Sequence, residues 1–174
     1  MSLDFDIVFL VDTSTTVKKR NFKSIINFIK MSLSDAIIDQ GLARVGVATF
    51  STNVQIHFYL NTFETEKYIF EALDNITFTY GDTNYASALS SVRMKIFKEE
   101  KGDRPLAKNI LVLITDGASN VFSYRTVVEA QLLRETGVEV FVIAIGLKET
   151  TQLKYVASFP TDEHTIFVRN FGKL

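Results

Sequence analysis

The chain has 174 residues, 47% of them hydrophobic, and a formal net charge of −1. That length suits one domain, the apolar share supplies a core and excludes a disordered chain, and the near-neutral charge excludes a basic field that would draw in nucleic acid or anionic lipid. There is no cysteine, which excludes disulfides, thiolate catalysis and Cys-ligated zinc.

The start, MSLDFD, enters a strand at once, with no basic leader or cleavage site. The sequence therefore reads either as cytosolic or as a domain cut from a longer protein behind an added start residue. No run approaches the roughly 18 apolar residues of a membrane span. FDIVFLV (5–11) is short, β-branched and nearly continuously apolar, as strands covered on both faces are. A polar stretch, DTSTT (12–16), follows it directly. Lys18, Lys19 and Arg20 then open a helical stretch as a solvated face. Residues 18–38 place Phe22, Ile25, Ile26, Ile29 and Leu33 on one apolar stripe.

ARVGVATF (43–50) is the second buried strand. VQIHFYL (54–60) alternates more and follows after STN, so it reads as an antiparallel edge strand in a hairpin. TFETEKYIFEALDNI (62–76) is helical, with Thr62 and Thr65 as alternative caps. It runs into a sequon, Asn75-Ile76-Thr77, a candidate N-glycosylation site in a secreted parent. Next come a helix over 84–97, a strand over 109–115, a helix over 124–137 ending in Gly137, and a strand over 138–146. A helix over 150–159 stops at Pro160, and a last edge strand covers 165–171. The order predicts a doubly wound α/β domain: a mostly parallel six-stranded sheet with one antiparallel edge strand and helices on both faces, Rossmann-like in layout.

In such sheets ligands bind beyond the carboxyl ends of the strands, where the strand order reverses. Three polar clusters fall there: Asp12, Ser14 and Thr16; Gly81-Asp82-Thr83; and Thr115-Asp116-Gly117. Asp12 and Asp116 each follow a very apolar strand. Burying one uncompensated carboxylate is costly, and two facing each other also repel, so a bound cation would relieve both costs. Every candidate donor is a hard oxygen, which suits Mg²⁺ or Mn²⁺. Taken alone, DTSTT also reads as a strand-to-helix turn capped by hydroxyls.

The three clusters, with FDIVFLVD, RVGVATFS, LITDG and VEVFVIAIG, resemble the von Willebrand factor A domain over nearly the whole chain. The flavour is similar to the matrix group of that family, the matrilins and collagen VI. The resemblance implies the family's fold over 1–174 and a metal-ion-dependent adhesion site made by Asp12, Ser14, Thr16, Thr83 and Asp116. By it, Ser14 and Thr16 bind Mg²⁺ or Mn²⁺ directly and Thr83 directly or through water. Asp12 and Asp116 act mainly through bridging waters. The open position then accepts a Glu or Asp carboxylate of a partner, collagen or another extracellular matrix protein, and the module is secreted, adhesive and not an enzyme. Tyr85, Ser119, Asn120, Phe122 and Tyr124 are expected near the upper loops, the first four as the rim that contacts the partner.

The sequence departs from the family at Thr13, where Gly is usual, and at Thr16, where Ser is usual. The family also carries one more amphipathic helix after the last strand; only Gly172, Lys173 and Leu174 follow Phe171, so either the sequence is a piece excised from a larger protein that stops short of that helix, or the helix is absent here. His57 and His164 read as surface or satisfied residues, with no ligand set spaced around them. Two other functions compete: structural packing in a matrix polymer without metal, and Mg²⁺-dependent phosphoryl transfer of the haloacid dehalogenase type. The second begins DxDx[TV] after its first strand, and Ser14 cannot replace that motif's second Asp as acid and base. Neither GxGxxG nor GxxxxGK[ST] is present for nucleotide binding.

Overall fold

The computed structural model describes residues 4–34, 37–117, 124–147 and 151–174. Its strands are β1 (Phe5–Asp12), β2 (Ala43–Phe50), β3 (Val54–Phe58), β4 (Lys108–Thr115), β5 (Glu139–Ile145) and β6 (Thr165–Val168). Its helices are α1 (Lys19–Leu33), α2 (Glu66–Asp74), α3 (Tyr85–Ser91), α4 (Tyr124–Glu135), α5 (Thr151–Lys154) and α6 (Thr161–His164). The strands form one sheet in the order β3-β2-β1-β4-β5-β6. All neighbours are parallel except β2 and β3, which pair antiparallel through the expected hairpin.

The continuous apolar strands have their physical reason in two separate cores. On β1, Val8 and Leu10 join Tyr85, Leu89, Val92, Leu111 and Leu133 on one face. Phe9 and Val11 join Ile25, Ile29, Ile69 and Leu73 on the other. Each fully buried Leu or Ile contributes roughly 1.5–3 kcal/mol relative to exposure. Both faces of β1 are therefore occupied, and an alternating pattern has no place there.

Several element ends differ from the sequence reading. α1 starts after Lys18, whose φ of 68° is incompatible with a helical turn. α2 starts at Glu66, because Thr62 lies in a turn where its Oγ1 accepts from Tyr59 N. The helix expected over 84–97 is α-helical only to Ser91. It widens into a π turn over Val92–Ile96, in which Phe97 N donates to Val92 O at 3.2 Å. Pro160 does not end a long helix; it caps the N-terminus of the short α6. The last strand ends at Val168 rather than at 171.

The sheet order places the carboxyl ends of β1 and β4 side by side, with β1 paired to β2 on its other edge. The crossovers from β1 and β4 diverge at this point. In other sheets of this kind that divergence is where ligands bind.

Candidate metal centre

Asp12 is the last residue of β1 and is 0% exposed. Its Oδ1 accepts from Ser14 N at 2.8 Å, and its Oδ2 accepts from Thr115 Oγ1 at 2.7 Å. The loop then curls so that Ser14 Oγ lies 3.1 Å from Thr16 Oγ1. Thr16 Oγ1 donates to Asp116 Oδ1 at 3.0 Å, across a sequence separation of 100 residues. A threonine hydroxyl carries one proton, and here Asp116 receives it; the Ser14 hydroxyl stands between Thr16 and the Asp12 carboxylate, within reach of both. The loops after β1 and β4 thus meet through the side chains singled out from the sequence.

The third loop is fastened to the loop after β1 and to the β2–β3 turn. Thr15 N and Thr15 Oγ1 donate to Gly81 O at 3.0 and 3.2 Å, and Gly81 N approaches Thr15 Oγ1 at 3.1 Å. Asp82 N donates to Thr52 Oγ1 at 3.0 Å and Asn84 N to Ser51 O at 3.0 Å, which ties the loop to the β2–β3 turn. Gly81 has φ 138°, and a Cβ there would lie 2.6 Å from Thr52 Oγ1, so only glycine fits. Thr83, buried, sits inside this tied segment.

The electrostatics single out Asp12. Burial pushes its carboxyl up from 3.8 to about 6. Hydrogen bonds from Thr115 and Ser14 oppose that rise, and the charge of Asp116 adds to it. Among the described residues Asp12 forms no ion pair. Nor do three or more His, Cys, Asp or Glu side chains gather anywhere among them. The centre has two carboxylates, and its other donors are hydroxyls. That donor set of hard oxygens around a buried, uncompensated carboxylate fits a hard divalent ion.

Thr13 stands where the resemblance expects glycine. Its φ is not in the left-handed region, so the backbone does not require glycine. Its buried hydroxyl donates to Phe50 O at 3.1 Å and lies 2.7 Å from Thr79 Oγ1. The substitution therefore adds two fastenings at the base of the loop.

Tyr85 corrects the expected rim. It is 1% exposed, its ring lies against Phe50 at 5.5 Å, and its Oη lies 2.7 Å from Thr115 Oγ1. Burial drives its phenol well above the ordinary range. The helical phase explains this: Tyr85 shares the stripe of Ala88, Leu89, Val92 and Ile96, so its position is fixed by the core. Ser119, Asn120 and Phe122 lie outside the described residues. Tyr124 is 83% exposed at the start of α4. Asn75 is exposed at the end of α2, and its Nδ2 donates to Glu71 O at 2.9 Å. His57 and His164 are both satisfied, the first by Thr49 Oγ1 and the second by Glu139 and Pro160 O. Sequence reasoning placed Thr115 in the third polar cluster but gave it no role; the structure makes it the donor to Asp12. Its signal was present in LITDG, where a hydroxyl ends an apolar strand one position before Asp116.

A family model for the von Willebrand factor type A domain matches residues 6–174. The chain is 30% identical to the collagen alpha-1(XX) chain of Mus musculus over 97% of its own length and 13% of that protein's. It is 26% identical to matrilin-3 of Gallus gallus over 96% of itself and 37% of that protein. The chain thus spans well under half the length of either relative. Among solved structures, proximal thread matrix protein 1 from the mussel byssus superposes with a TM-score of 0.90 at 28% identity, covering 98% of this chain and 44% of that one. The same protein with a zinc-occupied metal-ion-dependent adhesion motif gives a TM-score of 0.89 at 27% identity, covering 98% and 45%.

Proposed function

Because the chain belongs to the von Willebrand factor type A domain family, we propose that it is an adhesive module that grips a partner protein's carboxylate through a divalent ion. The matrix setting follows the company it keeps: its relatives are collagens, matrilins and a byssus matrix protein, and the module is a secreted, extracellular matrix one. Asp12, Ser14, Thr16, Thr83 and Asp116 would hold the ion, Mg²⁺ or Mn²⁺. The ion supplies a Lewis-acidic position for a Glu or Asp of collagen or another matrix protein.

The chain's own residues prepare that position. Asp12 is held by Ser14 N and Thr115 Oγ1, which leaves its orientation little freedom. Ser14 and Thr16 offer neutral oxygens, which leave an ion more electrophilic than carboxylates would. Asp116 and Thr16 already touch, so the loops need not be drawn together from a distance. The observation that carries the reading is the fully buried Asp12 without an ion pair, facing hydroxyls and a second carboxylate.

Catalysis has less support. The position two residues after Asp12 is Ser14, which cannot shuttle a proton as a phosphotransferase acid would. We further propose that Asn75, exposed and within its sequon, carries the N-glycan of the secreted protein.

The deciding measurement is binding to immobilised fibrillar collagen and to matrix extracts in Mg²⁺, in EDTA, and with Asp12→Ala. Binding that requires both the ion and Asp12 supports adhesion through the metal. Equal binding in all three conditions would favour structural assembly without metal.

A further inference from the structure

We propose that Tyr85 is a positioning residue of the metal centre, acting through Thr115 to hold the Asp12 carboxylate in place. The inference rests on the metal-site reading above and adds to it a residue outside the five side chains that would hold the ion.

The argument starts from proton counting. Thr115 Oγ1 donates its single proton to Asp12 Oδ2 at 2.7 Å. The contact between Tyr85 Oη and Thr115 Oγ1 at 2.7 Å must therefore run from tyrosine to threonine. Gly117 N also donates to Thr115 Oγ1, at 2.9 Å. The threonine oxygen then accepts twice and donates once, which is its full capacity. A hydroxyl so occupied cannot turn away from Asp12. Ser14 N secures the other carboxylate oxygen, so both oxygens of Asp12 are fixed before any ion arrives.

Tyr85 also links two loops that the sequence keeps apart. It opens α3, directly after the tied segment that contains Thr83, and it reaches β4 through its hydroxyl. Its ring is fixed against Phe50, the residue paired with Asp12 in the sheet. A shift of the Thr83 loop therefore moves the phenol relative to Thr115 and slackens the grip on Asp12. A shorter hydroxylated side chain at this position would not span the distance.

The test is Mn²⁺ titration of the purified domain by isothermal calorimetry, beside apo thermal melts in EDTA. Tyr85→Phe keeps the ring, and Thr115 keeps the Gly117 donor. Loss of one neutral hydrogen bond should weaken Mn²⁺ binding about fivefold and lower the apo melting temperature by only about 2–4 °C. Thr115→Val, which removes the link itself, should weaken it further, and Thr115→Ser should restore it. Leu89→Ala, a packing variant on the same helix, should lower the melting temperature and leave Mn²⁺ affinity alone. Unchanged affinity in Tyr85→Phe would overturn the inference, as would an equal loss in Leu89→Ala. A wild-type domain that takes up no Mn²⁺ at millimolar concentration gives a different result: it removes the metal centre, and this inference with it.

Discussion

Strand β1 buries an aspartate near each end, Asp6 and Asp12, and both are 0% exposed. The chain treats them differently. Asp6 receives Arg104 N at 2.6 Å and Arg104 Nε at 2.8 Å, and an ion pair with that guanidinium. Arg104 spends its remaining donors on Asp4 and on the carbonyls of Phe5, Gly41 and Leu42. Charge and hydrogen bonds are both satisfied from within. Asp12, at the other end, has only neutral donors among the described residues and carries its carboxyl up to about 6. One end of the strand is closed by the protein's own cation, and the other, on the function proposed above, would be closed by a cation from outside. A buried acid beside an arginine is part of the framework; a buried acid beside hydroxyls alone has its charge left uncompensated, which is why the proposal places the working end there.

The largest effect is expected at the closed end. Arg104→Met leaves Asp6 buried and uncompensated, and should cost about 3–5 kcal/mol in urea denaturation. Adding Asp6→Asn should recover part of that loss, because the two residues act as a pair. A neutral Arg104→Met would remove the contrast. At the open end the sign reverses. Asp12→Asn should leave the apo protein as stable as wild type or about 1 kcal/mol more stable, because it removes an unpaired buried charge. The same change should abolish the stabilisation by metal, which for the wild type amounts to about 2.7 kcal/mol at a hundredfold excess over Kd. Thermal melts with and without Mg²⁺ read both effects.

The pH dependence bears on the same contrast. In EDTA the folded Asp12 holds its proton up to about pH 6, whereas the unfolded chain releases it near 3.8. Stability from this group therefore falls as pH rises from about 4 to 6 and is level above. Bound metal should reverse that slope, because protons then compete with the ion. At the closed end, burial alone would lower His164, but Glu139 and the Pro160 carbonyl hold it above 6.5. Its contribution is complete below 6.5 and is lost as pH climbs through the raised value. Glu139 is held low by hydrogen bonds from Lys108 and His164, so its contribution is lost only as pH falls below 4.5. His164→Gln should flatten the alkaline arm by about 1 kcal/mol, measured by melts between pH 5 and 9.

The open end was far more legible in the sequence than the closed one. Asp12, Ser14 and Thr16 stand within one short stretch, and Asp116 follows an unmistakable strand, so strand order alone brings them together. Arg104 gives no such sign: it meets Asp6 across 98 residues, from an irregular segment before β4. The available clue was Asp6 itself, an acid inside the apolar run FDIVFLV, which demands a partner without naming it. Tyr85 failed for another reason. Its place just after the polar loop suggested exposure, while its spacing to Leu89, Val92 and Ile96 already placed it inward. The over-long helix at 84–97 reflects a limit of periodicity, since a π turn keeps the apolar stripe while changing the hydrogen bonds.

The fastening of Gly81 has a practical consequence for engineering. Thr15 holds this glycine from one side, and Thr52 fills the space where its side chain would stand. Grafting a sister domain's 81–84 segment alone would import a loop with no matching socket. Specificity swaps should transplant residues 13–16, 51–53 and 81–84 together, as one cassette.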